Sequence, residues 1–304
     1  MSQLQEISQK QINKLGKKFR DSIWSDEDFN FLEEFKKSYD QLLINNSSII
    51  SQKLNKNLQN FILVGRLKRT KSIIRKLQRK NNYGMDLTRM SDIAGLRVIV
   101  NNLSNQNKAI EIIKSVLNID KIYDYRKSEQ NYRSVHLITK IEDKYLEIQV
   151  RTIAQQTWAD ESEDFGEHAK QGFYTDEVGN YLKILSDITN KIDSENNFED
   201  NQINNFLFEK RSPIKGKLSI IKKIFDTYNV NSIEDPKYFL IVYDSLDSTL
   251  ISEDEFDLNE KNYVFDLYKY KAKLLDDNRY EIIFFISSLG SKVLRVSHPR
   301  FFMR

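Results

Sequence analysis

The chain has 304 residues, 39% hydrophobic and 12% aromatic, enough apolar side chain for a packed core and too much for a disordered segment. Its 47 basic and 44 acidic residues leave a net charge of +3, so phosphate-binding capacity has to come from local clustering rather than an overall field. The absence of cysteine excludes disulfides, thiolate nucleophiles, zinc ribbons and iron–sulfur clusters. No run reaches the ~18 apolar residues of a spanning helix and no signal-peptide pattern opens the chain, so a cytoplasmic, non-membrane protein is expected.

The first element in chain order is announced by Ser25-Asp26-Glu27-Asp28, a capping box, followed by Leu32, Phe35, Tyr39, Leu42 and Leu43 at helical spacing. This pattern predicts one long amphipathic helix from about Asp26. The apolar run Phe61 to Val64 predicts a buried strand, and Thr70 to Lys80 a basic helix. After a turn at Asn81 to Gly84 come a strand (Leu96 to Val100), a helix (Gln106 to Leu117) and three strands (Lys121 to Tyr125, Ser134 to Ile141, Tyr145 to Val150). Helices from Ala154 to about Asp164 and about Thr175 to Ile192 follow. The expected class is α+β around a mixed sheet. Asp193 to Asn205, rich in Asn, Asp, Glu and Ser, is the linker candidate. It divides the chain into an N-terminal helical segment (1–59), a catalytic domain (60–205) and a C-terminal α+β accessory domain (206–304). In the last of these, Tyr238 to Tyr243 and Ile282 to Ile286 read as strands and Asn262 to Leu275 as a helix.

Three stretches carry chemistry. From Gly65 to Lys80 the sequence GRLKRTKSIIRKLQRK holds eight basic residues and no acid. Arg66 and Lys68 are two apart at a strand end, and Ser72 and Lys76 share a helix face. With the free N–H groups of the helix start, they would suit a polyphosphate, although a basic surface helix has the same composition; Arg75, Arg79 and Lys80 are read as such surface charges. In the second stretch, DIAGLRVIV, Asp92 precedes a strand that carries Arg97. A carboxylate beside a phosphate cluster makes sense as a magnesium ligand, and as a helix or turn cap otherwise. In the third, LEIQVRT, alternation puts Glu147, Gln149 and Arg151 on one face of a half-buried strand. With only His136, His168 and His298 in the chain, scattered as they are, a bound metal is expected on carboxylate oxygens.

Together these stretches resemble the RelA/SpoT-type (p)ppGpp synthetase domains. Arg66, Lys68, Ser72 and Lys76 come first, then Asp92 and Arg97, then Tyr132, Arg133, Ser134 and His136. Glu147, Gln149, Arg151 and Thr152 follow, and then Trp158-Ala159. The resemblance covers about Asn60 to Gly166. It implies a nucleotidyltransferase-like fold and transfer of pyrophosphate from ATP to the 3′-hydroxyl of GDP or GTP, with release of AMP. It further implies that Arg66 and Arg97 sandwich the adenine, that Lys68, Ser72 and Lys76 hold the ATP phosphates, and that Asp92 binds Mg2+. Glu147 would be the second metal ligand or the base for the 3′-hydroxyl, and Tyr132 would stack on the acceptor base beside Arg133, His136, Gln149 and Arg151. Two departures qualify the match. The Pro-Lys-x-Asn-Gly segment common before the tyrosine is replaced by KSEQNY, with Ser128 at the lysine position and Asn131 at the glycine. After Trp158 the chain reads DESEDFG, so that Glu163, or else Glu161, stands for the family's glutamate. The family's hydrolase motifs are absent, which implies a stand-alone, synthesis-only member. Some such members are toxins that modify the tRNA 3′ end, and the basic run would serve tRNA phosphates too. A tRNA acceptor, an antitoxin or sensed protein at the C-terminal domain, self-inhibition by that domain, and a degenerate nucleotide- or RNA-binding module are the alternatives. The terminal Phe301-Phe302 pair is expected to be exposed.

Overall fold

The computed structural model describes residues 8–79, 82, 84–127, 132–164, 175–195, 214–227, 235–276 and 278–302. Three helices open it. In α1 (Gln9–Arg20) and α2 (Asp26–Lys37), the capping residues Ser8 and Ser25 each accept from the third helical N–H while Gln11 and Asp28 reach back, satisfying donors the helix cannot. The long helix expected from Asp26 is instead two. It breaks at Ser38, whose hydroxyl donates to Phe35 O at 2.6 Å, and α3 runs separately as Asp40–Asn57. The break turns Asp40 inwards, where Tyr238 OH donates to it at 3.0 Å.

The strands are β1 (Ile62–Leu67), β2 (Ala94–Val100), β3 (Ile119–Asp124), β4 (Val135–Ile141), β5 (Lys144–Thr152), β6 (Lys237–Asp244), β7 (Thr249–Phe256) and β8 (Tyr280–Ser287). They form one eight-stranded sheet in the order β3-β4-β5-β2-β1-β8-β6-β7. The β2–β5 pair is parallel and the others are antiparallel, so the α+β class with a mixed sheet holds. The remaining helices are α4 (Thr70–Gln78), α5 (Leu103–Val116), α6 (Ile153–Asp164), α7 (Asp176–Glu195), α8 (Ile214–Thr227), α9 (Lys261–Leu274) and the single turn α10 (Leu294–Ser297). Among the described residues no helix is long and apolar enough to cross a membrane.

The C-terminal region, α+β as expected, closes no sheet of its own. Its strand β8 pairs with β1 at Gly65↔Ile286, Arg66↔Phe285 and Leu67↔Phe284, so the strand that carries Arg66 is interior to the sheet. The boundary expected at residue 205 lies outside the described residues. Strands β1, β2 and β5 are buried on both sides, and their alternation separates two faces. Leu96, Ile148, Ile286 and Tyr238 share one, covered by α3 and α9. Arg66, Arg97, Gln149 and Phe285 share the other. The terminal pair is also unlike its expected exposure: Phe301 is buried, its ring 5.1 Å from that of Tyr243, because the chain end folds back over this second face.

Candidate active site

The polar face of β1, β2 and β5 assembles most of the residues singled out in the sequence. Parallel pairing sets Gly95 beside Glu147 and Arg97 beside Gln149, and β4 adds His136 opposite Gln149. Asp92 sits just before β2 and receives both lysines of the basic stretch: Lys68 Nζ lies 3.0 Å from Oδ2 and Lys76 Nζ 2.9 Å from Oδ1. Burial alone would raise the Asp92 pKa, but the two ammonium groups outweigh it and hold the carboxyl well below its ordinary range. Glu147 is engaged differently, with His136 Nδ1 at 3.0 Å from Oε1 and Gln149 Nε2 donating to Oε2 at 2.9 Å. Burial and the charge of Asp92 push its pKa up, and His136 with Gln149 brings it below normal. The charge of Asp92 is thus felt at Glu147.

A relay runs outward from Glu147. His136 Nε2 lies 2.7 Å from Tyr132 OH, which in turn accepts from Arg151 Nη2 at 2.7 Å. Burial would raise the tyrosine pKa, yet Arg151 and His136 bring it down to about 8. For His136, burial lowers the pKa and the Tyr132 and Glu147 charges more than compensate. Arg151 also donates to Gln156 Oε1 at 2.9 Å, and Arg133 donates to Tyr132 O at 3.2 Å. Around Tyr132 stand Tyr125, at 5.4 Å between ring centroids, and Trp158, at 5.8 Å. Tyr125 was not singled out in the sequence, where it reads only as the end of a strand. Trp158 is fixed by its Nε1–H to Leu182 O at 2.8 Å.

Not every expected partner joins this centre. Ser72 lies at the start of α4, where it lines a cavity with Arg69, Lys71, Arg75 and Tyr268. Arg75 is exposed as expected, and Lys80 lies outside the described residues. Thr152 is buried and donates to Asp193 Oδ2 at 2.9 Å. Glu161 is buried, with Tyr181 OH at 3.4 Å. Glu163 lies 3.6 Å from Arg300 Nε, and its charge is felt by both Arg66 and Arg97. Ser128, Asn131 and His168 lie outside the described residues. Arg97 meets the chain end as well as Gln149: it donates to Ser297 O at 2.6 Å and approaches His298 Nε2 at 3.1 Å. Burial and the nearby Arg151 lower its pKa to about 9.

Two lysines converging on a half-buried carboxylate, a second carboxylate tied to a histidine, and two arginines along one sheet face are a set of groups suited to phosphate. Residues 65–168 match the model of a region found in RelA/SpoT proteins, in keeping with the resemblance of the residue pattern. Among curated proteins, the chain is 35% identical over 112 residues to the GTP pyrophosphokinase YwaC of Bacillus subtilis (strain 168), an overlap of 31% of this chain and 52% of that one. It is 34% identical over 113 residues to the GTP pyrophosphokinase YjbM of the same organism, 32% and 52% respectively. The chain thus spans about half the length of the curated relatives it matches. Similar solved structures include a GTP pyrophosphokinase family protein from Streptococcus pneumoniae, with a TM-score of 0.47, 25% identity and coverage of 65% of this chain and 98% of that one. Another is the small alarmone synthetase 1 from Bacillus subtilis bound to its product pppGpp, with a TM-score of 0.46, 23% identity and coverage of 55% and 92%.

Proposed function

We propose that this chain is an ATP-dependent pyrophosphokinase that makes (p)ppGpp-type nucleotides from GDP or GTP. The observation that carries the proposal is the pairing of Asp92 with Lys68 and Lys76, together with a Glu147–His136 pair that feels the Asp92 charge. The activity for which the relatives are named, GTP pyrophosphokinase, supports the same acceptor. In this reading the acceptor's 3′-oxygen attacks the β-phosphorus of ATP, the bond from that phosphorus to the α-phosphate oxygen breaks, and AMP leaves. Glu147 takes the hydroxyl proton, and His136 steadies the carboxylate before the transfer. Lys68 and Lys76 hold the triphosphate, Arg66 and Arg97 the adenine, and Tyr132 the acceptor base. Positioning and charge neutralisation supply most of the rate in such displacements.

The donor set fits a magnesium ion. Asp92 is held by two lysines that an incoming triphosphate would recruit, which frees its oxygens for a cation, whereas Glu147 stays tied to His136 and Gln149. Magnesium uses one or two protein carboxylates plus phosphate oxygens and water. The ion would be held by Asp92 and would neutralise charge on the transferred phosphates.

The tRNA 3′ end is a second acceptor reading. It is favoured by Tyr123, 44% exposed and stacked on Tyr125 at 6.2 Å and 16°, which extends the aromatic surface beyond what one base covers. Incubation with γ-labelled ATP and, separately, GDP, GTP and deacylated tRNA decides between the two. Label in ppGpp or pppGpp with AMP release is expected. Asp92→Ala and Glu147→Gln should each lower transfer at least ~100-fold in folded protein. Full AMP release by both variants would refute the assignment, and label in tRNA alone would transfer it to the second acceptor.

A further inference from the structure

The chain end is seated on Arg97, one of the two arginines assigned to the donor base. Ser297 O accepts from Arg97 Nη1 at 2.6 Å and from Gln156 Nε2 at 2.9 Å. Because a guanidinium only donates, His298 Nε2, 3.1 Å from the same Nη1, is an acceptor. The ring proton then lies on Nδ1, 2.9 Å from Ser297 Oγ. The imidazole packs on Phe285, with 4.4 Å between centroids, and stacks with Phe301 at 16°; Phe285 is the register partner of Arg66. Two residues after His298, the Arg300 N–H donates to Asp160 Oδ1 at 3.0 Å, and its guanidinium reaches both Glu163 and Glu281. Glu281 is shared with Arg69, 2.7 Å away at the start of α4.

A flat heteroaromatic ring with an acceptor nitrogen facing Arg97, on the sheet face from which Arg66 rises, presents what a nucleobase would present to the same arginines. We propose that residues Ser297 to Phe301 are a plug in the donor-base slot, so that the chain end and ATP compete for Arg97. The inference rests on the proposed assignment of Arg66 and Arg97 to the adenine. It divides the C-terminal region in two. Strands β6 and β8 are bonded into the sheet and belong to the scaffold. At Arg97 a nucleobase can replace the contact of the plug, whereas the bonds of Arg300 to Asp160, Glu163 and Glu281 and the packing of Phe301 on Tyr243 have to be released when it leaves. Burial and the charges of Arg97 and Arg66 hold the His298 pKa well below its ordinary value, which keeps the ring neutral and its acceptor nitrogen available to Arg97.

The test uses the full chain, with binding of the non-hydrolysable ATP analogue AMPCPP and magnesium measured by calorimetry. His298→Ala removes the base-like ring, and Arg300→Glu sets a carboxylate against Glu163 and Glu281; thermal melts establish that each is folded. Both variants should bind AMPCPP about tenfold more tightly or better, since a closed fraction lowers apparent affinity in proportion. In the unmodified chain, saturating AMPCPP should speed amide exchange at His298, Phe301 and Phe302 while Ile283 to Ile286 of β8 stay protected. Equal affinity in all three proteins, with exchange at the chain end unchanged at saturation, would overturn the plug alone. Absence of binding in all three would remove the donor-site assignment and the plug with it. Should neither variant fold, exchange in the unmodified chain decides by itself.

Discussion

Asp193 shows how a single buried carboxyl sets a pH dependence. It sits on α7, accepting from Thr152 Oγ1 at 2.9 Å and Gln155 Nε2 at 3.1 Å, with burial pushing its pKa up to about 7 against those two hydrogen bonds. The folded-state pKa is raised above the unfolded one, so its contribution to stability is complete below about pH 4 and is lost as pH rises through about 7. Asp193→Asn keeps an acceptor for both donors and cannot ionise. It should be more stable than the unmodified chain at pH 8, on the order of a few kcal/mol, with the gap closing by pH 4; urea melts at four pH values would show this, and a constant gap would contradict it. Tyr132 offers a second titration. Its phenol should ionise near pH 8 in an ultraviolet titration, with Arg151→Met moving that transition upward, since the guanidinium stabilises the phenolate.

Between elements, the junctions around α4 are held by unusual devices. Lys36 of α2 is 1% exposed and donates to Glu33, Thr70 Oγ1 and Tyr268 OH, so one ammonium joins α2, the start of α4 and α9. Removing one member of such a buried pair strands the other. Lys36→Met is therefore expected to cost ~3–5 kcal/mol in urea melts, and adding Glu33→Leu should recover most of it. If the double variant were no better than the single, the ion pair would not be the cause. A close approach governs α1, where a Cβ on Gly16 would lie 2.8 Å from Leu87 Cβ. Alanine gains ~1 kcal/mol of helix propensity there, but overpacking costs ~1–3 kcal/mol. Gly16→Ala should thus lower stability by up to about 2 kcal/mol.

For the whole molecule the decisive contact is β8 against β1. A chain ending before Ile214 loses β6, β7 and β8, leaving β1 as an open edge and uncovering apolar surface that Phe284, Phe285 and Ile286 now bury. Such a truncation is expected to aggregate, as judged by size-exclusion chromatography; a soluble, cooperatively melting fragment would show that the sheet is complete without these strands. Local signals in the sequence marked many of the elements, though not α1, β7 or α8. Period-two alternation placed Glu147, Gln149 and Arg151 on one face, the basic run marked α4, and spaced motifs marked the RelA/SpoT region. These patterns are set by neighbours two to four residues apart, which is the range over which backbone geometry is periodic. The inward turn of Asp40 onto Tyr238, the sharing of Asp92 between Lys68 and Lys76, the aromatic wall at Tyr125 and the burial of His298 against Arg97 depend on residues up to 201 positions apart. Only the tertiary structure decided them, because periodicity fixes which face a side chain takes and says nothing of which distant strand or chain end will lie against that face.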